Sequence, residues 1–420
     1  MTRLGFAAVS PTAPKVADAP PEERRIVYLL AAVQFANVLD FMMVNPLGPR
    51  LARALDVGAA DLPAVMGSYT AAASVSGILG LFFLDRFDRR KALVVCLIGL
   101  ALGTSLGGLA TNFSTLVATR ILAGLFGGPA TSLTMAILSD TVPVARRGRS
   151  MGTVMGGFAV ASVLGVPAGL WLANLGSWRI PFFAVSVAIL GAVAAALKVL
   201  PPLSAHLSQV RPRVIDGLTK LFKTKGVLAS MSLTVVTMMS GFILIPNIAT
   251  YAEFNQHLLP SHIGWMYLLG GVASFVTTRI AGRLTDLSTP AIVSSGATLL
   301  LTVVTWTWFG GVVEAPVLVT STVFFIAMGA RGVAFNTTTS KVPRPDERAS
   351  FQSAQSAVQH AAAALAAFGS SKILAELPDG RLAHMDRVAF VSIGLAILVP
   401  IVMLFVERAL RLRDAANATT

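Results

Sequence analysis

The sequence predicts an all-α integral membrane protein in which twelve transmembrane helices form two pseudo-symmetric six-helix bundles. The first observation is composition, since 55% of the 420 residues are hydrophobic and only 13% are charged. The mean hydropathy is +0.73, whereas soluble domains carry about 25% charged residues. This composition excludes a cytosolic enzyme, a disordered chain and a DNA-binding domain.

The second observation is a series of twelve apolar segments, each close to the roughly 20 residues that a helix needs to cross a bilayer. They are residues 26–48, 63–84, 92–111, 115–138, 151–173, 181–200, 226–248, 261–282, 290–311, 316–338, 349–371 and 386–406. Most connections between them are short. The exception is the polar stretch 201–225, which begins with Pro201-Pro202 and divides the spans into two sets of six.

The third observation is an internal repeat at a spacing of about 200 residues, which supports two related halves. Val142, Pro143 and Ser150 recur as Val342, Pro343 and Ser350, Pro46 recurs as Pro246, and LFFLD at 81–85 recurs as GRLTD at 282–286.

The distribution of basic residues predicts the orientation. With a cytoplasmic N-terminus, 25 of the 33 Lys and Arg residues fall in cytoplasmic stretches and 6 in external loops, as the positive-inside rule expects. The net charge of +13 is therefore interpreted as a topology signal, with attraction to the lipid bilayer, and not as a nucleic-acid surface. We expect a plasma (bacterial inner) membrane protein with both termini cytoplasmic.

This layout predicts five segments. They are a cytoplasmic tail at 1–25 without a signal-peptide pattern, a first bundle at 26–200, a linker at 201–225, a second bundle at 226–406 and a cytoplasmic tail at 407–420. The two-half design needs no partner chain, so we expect a monomer.

Asp40 is the one acidic residue placed deep inside a predicted span, in QFANVLDFMMVNPLG. A charge at that depth is costly unless it is paired or hydrated, and such groups are usually functional. Two interpretations are open: a proton-coupling carboxylate that faces a central cavity, or a structural acid paired to a neighbouring helix.

Two arginines also lie inside predicted spans. Arg120 could pair with Asp40 and be released when Asp40 takes up a proton, or it could snorkel outward. Arg331 lies nearer the cytoplasmic end of its span, where snorkelling is the favoured interpretation.

Several polar side chains are candidates for substrate binding. Gln34, Asn37 and Asp40 are spaced by three and share one helix face about 120° wide, which could line a cavity or form a hydrogen-bonded seam between helices. In the eleventh span, Gln355, Gln359 and His360 could bind substrate, although a membrane histidine is also a common hydrogen-bonded packing residue.

Two further motifs concern movement. Gly165, Pro167 and Gly169 combine a small-residue packing motif with a helix-weakening proline. They predict a tightly packed, bending helix, though such motifs are common in membranes. The loop LDRFDRRKAL at 84–93 is either a topology signal or a charge lock that holds one conformation.

Together these features resemble the major facilitator superfamily over about residues 26–406. The family's loop between helices 2 and 3 has an acidic and basic signature, and a degenerate copy occurs between helices 8 and 9. Leu81 and Asp88 replace glycines of the first copy, and the second copy lacks the basic run. The matching positions are Asp85, Arg86, Arg89, Arg90 and Lys91 in the first copy and Gly282, Leu284 and Asp286 in the second.

The resemblance is nearest to the twelve-helix drug:proton antiporter branch. Arg120 with Gly124 is similar to the helix 4 signature of proton-coupled members, and Gly165-Val-Pro167-Ala-Gly169 to a variant of the helix 5 antiporter signature. Asp40 occupies a helix 1 position where such antiporters often carry an acid. The resemblance implies a central cavity between two bundles and alternating access.

Three functions are weighed. The first is proton-driven export of a small amphiphilic compound. The second is uptake of a sugar, nucleoside or organic acid by proton symport or passive facilitation, and the direction of the substrate-induced pH change separates the two. The third is a receptor or an intramembrane enzyme that transports nothing. Only one cysteine, Cys96, and no metal-spacing or nucleotide motif are present, so no cofactor, metal site or enzymatic activity is expected.

Overall fold

The polypeptide is almost entirely helical in a computed structural model that describes residues 20–204, 207, 214–310, 315–344 and 347–418. The helices of the first half are α1 (Pro21–Met43), α2 (Gly48–Leu55), α3 (Leu62–Phe83), α4 (Arg89–Gly108), α5 (Phe113–Thr141), α6 (Val144–Val160), α7 (Val166–Asn174) and α8 (Ile180–Val199). Most of the predicted tail 1–25 and part of the predicted linker 201–225 lie outside the described residues.

The second half repeats this succession of long helices. Its helices are α9 (Val214–Lys223), α10 (Val227–Phe242), α11 (Ile248–Thr250), α12 (Ile263–Leu287), α13 (Pro290–Phe309), α14 (Val317–Ser340), α15 (Arg348–Ile373) and α16 (Met385–Ala418). Two short antiparallel strands, β1 (Ala375–Glu376) and β2 (Leu382–Ala383), form a hairpin before α16, with Ala375 opposite Ala383.

Each of the twelve predicted spans is occupied by helix. Ten helical segments among the described residues are long and apolar enough to cross a membrane. The other two predicted spans coincide with α12 and α15, whose sequences carry more polar residues. Many of the most exposed side chains are apolar, and Val187, Leu228, Leu299 and Leu365 are each more than 60% exposed. A surface of this kind is suited to lipid chains and not to water.

Local sequence signals set several helix starts. Proline stands in the first turn of α1, α3, α8 and α13, where its missing N–H costs no helical hydrogen bond. The Asp88 side chain accepts from the Lys91 N–H at the start of α4, and Asn112 forms a capping box with Thr115 at the start of α5. These caps satisfy donors that the first turn leaves without a partner.

The two halves pack directly on each other along α3 and α15. The Ser74 hydroxyl on α3 donates to the Ala357 carbonyl on α15 at 2.9 Å. Gly67 lies against Ala367 and Phe368 of α15, and Gly271 on α12 lies against Ser162 and Val163 of the first half. Side chains of both halves therefore belong to one apolar core.

The halves also meet at one end of the bundle, around residues 44–61, which we call the distal end. The opposite end carries residues 84–88, 200–204 and 214–226, and we call it the linker end. At the distal end Arg53 Nη1 lies 2.5 Å from Glu253 Oε1, and the Ala59 N–H donates to Glu376 Oε2 at 2.5 Å. Both contacts join the first half to the second.

Glycines allow α3 and α5 to approach closely. A Cβ atom on Gly124 would lie 2.2 Å from the Tyr69 carbonyl oxygen, and one on Gly128 would lie 2.4 Å from the Ala73 carbonyl oxygen. Because the obstructing atoms are backbone atoms, a larger residue at either position would have to push the helices apart.

We expect Gly124→Ala to destabilise the protein by about 1–3 kcal/mol, the usual cost of overpacking a tight interior. Gly191→Ala on α8 is the matched control, because no atom lies within 4 Å of its added Cβ. Thermal unfolding in detergent measures both. A melting temperature of Gly124→Ala equal to that of Gly191→Ala would contradict the close packing of α3 on α5.

Candidate functional site

A buried ion pair joins α1 to α5 inside the first half. Arg120 Nη1 donates to Asp40 Oδ1 at 3.0 Å, and Arg120 Nη2 donates to Asp40 Oδ2 at 2.9 Å. The Asp40 side chain is 0% exposed and that of Arg120 is 1% exposed. This two-pronged geometry is the strong form of an arginine–carboxylate contact.

Two further helices complete the surroundings of the pair. Thr104 Oγ1 on α4 lies 2.7 Å from Asp40 Oδ1 and 2.8 Å from the Leu100 carbonyl oxygen, so its single proton can serve either acceptor. The Tyr69 ring on α3 lies under the guanidinium of Arg120, with 4.8 Å from Cζ to the ring centroid, a favourable cation–π arrangement. Asp40 is thus enclosed by the helices of the first half instead of opening to a cavity.

Asn37, one turn before Asp40, is saturated by hydrogen bonds within the first half. Its Nδ2 donates to the Gly127 carbonyl at 3.0 Å and to Thr131 Oγ1 at 2.7 Å, and its Oδ1 accepts from the Tyr69 hydroxyl at 3.1 Å. This is the geometry of a hydrogen-bonded seam between α1, α3 and α5. Gln34 is buried, and its Oε1 has no partner among the described residues.

The candidates on α15 form a separate group. Gln355 is buried, while Gln359 and His360 are half-buried. The His360 Nδ1 lies 2.8 Å from the Ser356 carbonyl oxygen in the preceding turn. Among the described residues, no hydrogen bond joins this group to Gln34 or Asn37, so substrate binding by these five residues stays a prediction.

An aromatic contact connects the ion pair to the second half. Phe41, the residue after Asp40, packs on Tyr69 with 5.4 Å between ring centroids. On its other side it packs on Phe242 of α10 at 6.0 Å. Phe41 therefore links the segment of α1 beside Asp40 to α10 of the second half.

Arg331 does not snorkel, and that interpretation is wrong. Its side chain on α14 is 1% exposed, and Nη2 lies 3.5 Å from the Thr237 carbonyl oxygen and 3.2 Å from the Met328 sulfur. The guanidinium is therefore buried inside the second half, beside α10.

The basic loop between α3 and α4 is tied to the first half at the linker end. Arg89 Nη1 lies 2.6 Å from Asp140 Oδ2 at the end of α5, and Arg90 Nη2 donates to the Leu197 carbonyl at 2.5 Å. Arg86, Lys91 and Asp286 are exposed. The side chain of Asp85 lies outside the described part of the structure, and the predicted charge lock stays a prediction.

Gly165, Pro167 and Gly169 lie beside a turn of π-helix, Ala161–Gly165, that separates α6 from α7. A Cβ on Gly165 would meet Leu39 at 2.7 Å and one on Gly169 would meet Met43 at 3.6 Å. Gly165 in the π-helical turn and Gly169 in α7 therefore lie where this segment contacts α1. The wider turn just before Pro167 is the kind of irregularity found at functional sites, and bending there stays a prediction.

Sequence reasoning missed Tyr69, Thr104 and Asp140. Tyr69 and Thr104 are neutral residues in apolar helices, and nothing in the one-dimensional pattern distinguishes them from packing residues. Asp140 did carry a signal, because it is an acid at the same predicted membrane face as the basic loop 84–93. Among the described residues, no group of three His, Cys, Asp or Glu side chains could hold a metal ion.

We expect removal of either partner of the ion pair alone, in Asp40→Leu or Arg120→Met, to destabilise the protein by about 3–5 kcal/mol. Each change leaves a buried charge without compensation, whereas the double replacement removes both charges and recovers most of the loss. Unfolding in detergent measures the coupling. Asp379→Asn breaks an exposed pair with Arg381 and serves as the control with an unchanged melting temperature. Additive losses in the double variant would refute a coupled pair.

Comparison with known proteins identifies the family. The sequence model of the Major Facilitator Superfamily matches residues 30–367. The chain is 26% identical over 312 residues to a chloramphenicol resistance protein of Streptomyces lividans, covering 74% of this chain and 79% of that protein. It is 28% identical over 262 residues to the inner membrane transport protein YdhP of Escherichia coli K12, covering 62% and 66%.

Solved structures agree on the fold. A bacterial homolog of the human lysosomal transporter Spinster, in an inward-facing and unoccupied conformation, superposes with a TM-score of 0.71 at 15% identity, covering 94% of this chain and 98% of that one. A D-xylose–proton symporter superposes with a TM-score of 0.74 at 14% identity, covering 90% and 97%. At such low sequence identity the superpositions show the fold alone. They confirm the predicted class of twelve helices in two bundles. Since the family match extends over most of its length, this chain belongs to the Major Facilitator Superfamily and is an integral membrane transporter.

Proposed function

We propose that the chain is a proton-driven exporter of a small amphiphilic compound, located in a bacterial inner membrane with both termini cytoplasmic. The observation that carries the proposal is the fully buried pair of Asp40 and Arg120. An acid held at that depth by one arginine can exist in two states, paired when ionised and released when protonated. The name of the Streptomyces lividans relative, a chloramphenicol resistance protein, supports export over uptake.

The proposed coupling runs along α1. A proton on Asp40 removes the charge that holds Arg120, so the two-pronged contact weakens and α1 can shift against α5. Asp40 lies three residues before the end of α1, and α2 follows with Arg53. A shift of α1 would therefore act on the distal contact between Arg53 and Glu253, and on the contact between Phe41 and Phe242.

We infer that the structure represents the state closed at the distal end. Arg53 with Glu253 and Ala59 with Glu376 join the two halves there, and a solved relative in fold is described as inward-facing. Under the proposed orientation the distal end is external. Opening it would break at least the Arg53–Glu253 ion pair, the stacking of Arg53 on Phe254 and the hydrogen bond of the Ala59 N–H to the Glu376 carboxylate. Water can replace the polar contacts among these.

We expect proteoliposomes with an internal pH dye to become alkaline inside when chloramphenicol is added outside, because an antiporter would carry the compound in and protons out. Asp40→Asn should lose this response but keep exchange of compound without a gradient, and Asp40→Glu should retain part of the response. Asp379→Asn, on the exposed hairpin, is the control.

Other results separate the alternatives. Acidification on the side that receives the compound would indicate symport, and a flux without pH change would indicate a facilitator. A normal response in Asp40→Asn would remove Asp40 from the coupling mechanism.

We expect the distal contact to control access to Ala59, which is 1% exposed. In an Ala59→Cys variant that lacks Cys96, a membrane-impermeant maleimide should react slowly from the distal face. It should react faster when Arg53→Glu is added, because the ion pair is then replaced by two acidic side chains that repel each other. The charge swap Arg53→Glu with Glu253→Arg should restore slow labelling. An Asp379→Cys variant is the control with a constant rate. Equal labelling of the Ala59→Cys variant in all backgrounds would contradict a gate at this contact.

A further inference from the structure

Arg331 is a buried cation that the ion pair of the first half does not explain. Its Nη1 has no hydrogen-bond partner among the described residues, and Nη2 has only the weak contacts with the Thr237 carbonyl and the Met328 sulfur. No carboxylate of the described residues lies within ion-pair distance of it. An arginine stays protonated inside a protein, so this charge is held without a counter-charge.

Such a charge is costly to keep. A buried cation without a partner destabilises a fold by several kcal/mol, and in a membrane such residues mark pathways for ions or substrates. The cost is specific to this half, because Arg120 in the first half has Asp40. A buried cation that destabilises the fold therefore indicates a role in function and not in folding.

Unpartnered hydroxyls continue from Arg331 toward the linker end. Thr237 Oγ1 on α10 has no partner among the described residues, and neither have Ser230 Oγ on α10 and Thr338 Oγ1 on α14. Ser230 precedes Thr237 by seven residues, and Thr338 follows Arg331 by seven. On antiparallel helices both steps lead toward the linker end by about 10 Å. Arg331 and Thr237 therefore form one level of unpartnered polar groups, and Ser230 and Thr338 form a second level nearer the linker end.

The internal repeat shows at which positions the second half differs from the first. At an offset of 200 residues, Asn37 corresponds to Thr237 and Thr131 corresponds to Arg331. The hydrogen bond from Asn37 to Thr131 and the contact of Arg331 with Thr237 therefore join equivalent positions, although the second is made to a backbone carbonyl. The counterpart of Asp40 is Ser240, which is 0% exposed and neutral. The second half thus carries a guanidinium where the first half has a threonine hydroxyl, and it has no acid at the position of Asp40.

The position of Arg331 suits a ligand between the halves. A Cβ on Gly241 would lie 3.7 Å from Arg331 Nη2 and 2.8 Å from Met328 Cε. The space beside the guanidinium is thus filled by the flexible end of a methionine side chain, which a ligand would have to displace. Phe242, the residue after Gly241, makes the aromatic contact with Phe41 across the two halves. Separation of the halves at this contact would give space to the groups beside it.

We propose that Arg331, assisted by Thr237, binds the organic carboxylate group of anionic transported compounds, a group that the neutral chloramphenicol lacks. The proposal rests on the proposed transport function. A guanidinium donates and never accepts, its fork matches the two oxygens of a carboxylate, and the neighbouring Thr237 hydroxyl adds a third donor. The second half would then recognise the anionic part of the substrate, while the first half holds the proton-coupling pair.

The first test is the sign of a stability change. Arg331→Met removes an uncompensated charge at nearly constant volume, so it should raise the melting temperature in chloride-free buffer. Arg120→Met removes one partner of a pair and should lower it. A lower melting temperature in Arg331→Met would mean that the arginine stabilises the fold, which would overturn the proposal.

The second test is binding in detergent without any gradient, so that its result does not depend on proton coupling. Benzoate should raise the melting temperature of the wild type in a saturable way, and the isosteric neutral benzamide should not. Arg331→Met should weaken benzoate binding about 10- to 100-fold, the loss expected for a charge-assisted hydrogen bond. Arg331→Lys should weaken it less, because it keeps the charge but loses the fork.

One control variant and three contrary results complete the test. Arg279→Gln removes an exposed arginine that stacks on Phe275 and should leave benzoate binding unchanged. Unaltered benzoate binding in Arg331→Met, or no benzoate effect on the wild type, would overturn the proposal. An equal shift by chloride would assign the site to inorganic anions and overturn the substrate role. If benzoate binds through Arg331 but the pH response of Asp40 is absent, only the proposed export mechanism fails.

Discussion

The interaction on which the first half depends is the two-pronged contact between Asp40 and Arg120. Neither charge is exposed, so each is tolerable only because the other is present. Four helices meet around the contact: α1 supplies the acid, α5 the arginine, α4 the Thr104 hydroxyl and α3 the ring of Tyr69. The close approach of α3 and α5 that glycines permit is what brings that ring within reach of the guanidinium.

The two halves share one architecture but differ in how their buried polar groups are satisfied. In the first half, Asn37 has three hydrogen bonds and Asp40 has a full set of donors. In the second half, Arg331 and Thr237 keep polar atoms without a partner among the described residues. A saturated network stabilises one arrangement, whereas free donors favour the entry of a ligand. The contact between Phe41 and Phe242 places the two systems next to each other at the plane where the halves meet.

The pairing inside the site was only partly predictable. A deep acid and a deep arginine stand out in an apolar sequence because charges in a membrane are rare, and their pairing was one of two open interpretations. Thr104 and Tyr69 gave no such signal, since hydroxyl-bearing residues occur throughout membrane helices. Arg331 was misinterpreted because a sequence shows how deep a residue lies along a helix but not in which direction its side chain points.

The sequence by itself determined the fold class and the number of spans. A bilayer forces every backbone group to be satisfied within the helix, so hydropathy and length report each span without knowledge of its neighbours. Only the tertiary structure decided which side chains meet. The rotation and crossing of α1, α3, α4 and α5 enclose Asp40 among protein groups. The orientation of α14 buries Arg331 beside α10, with no carboxylate of the described residues within ion-pair distance. Those rotations depend on contacts between residues up to hundreds of positions apart, which periodicity within one helix does not encode.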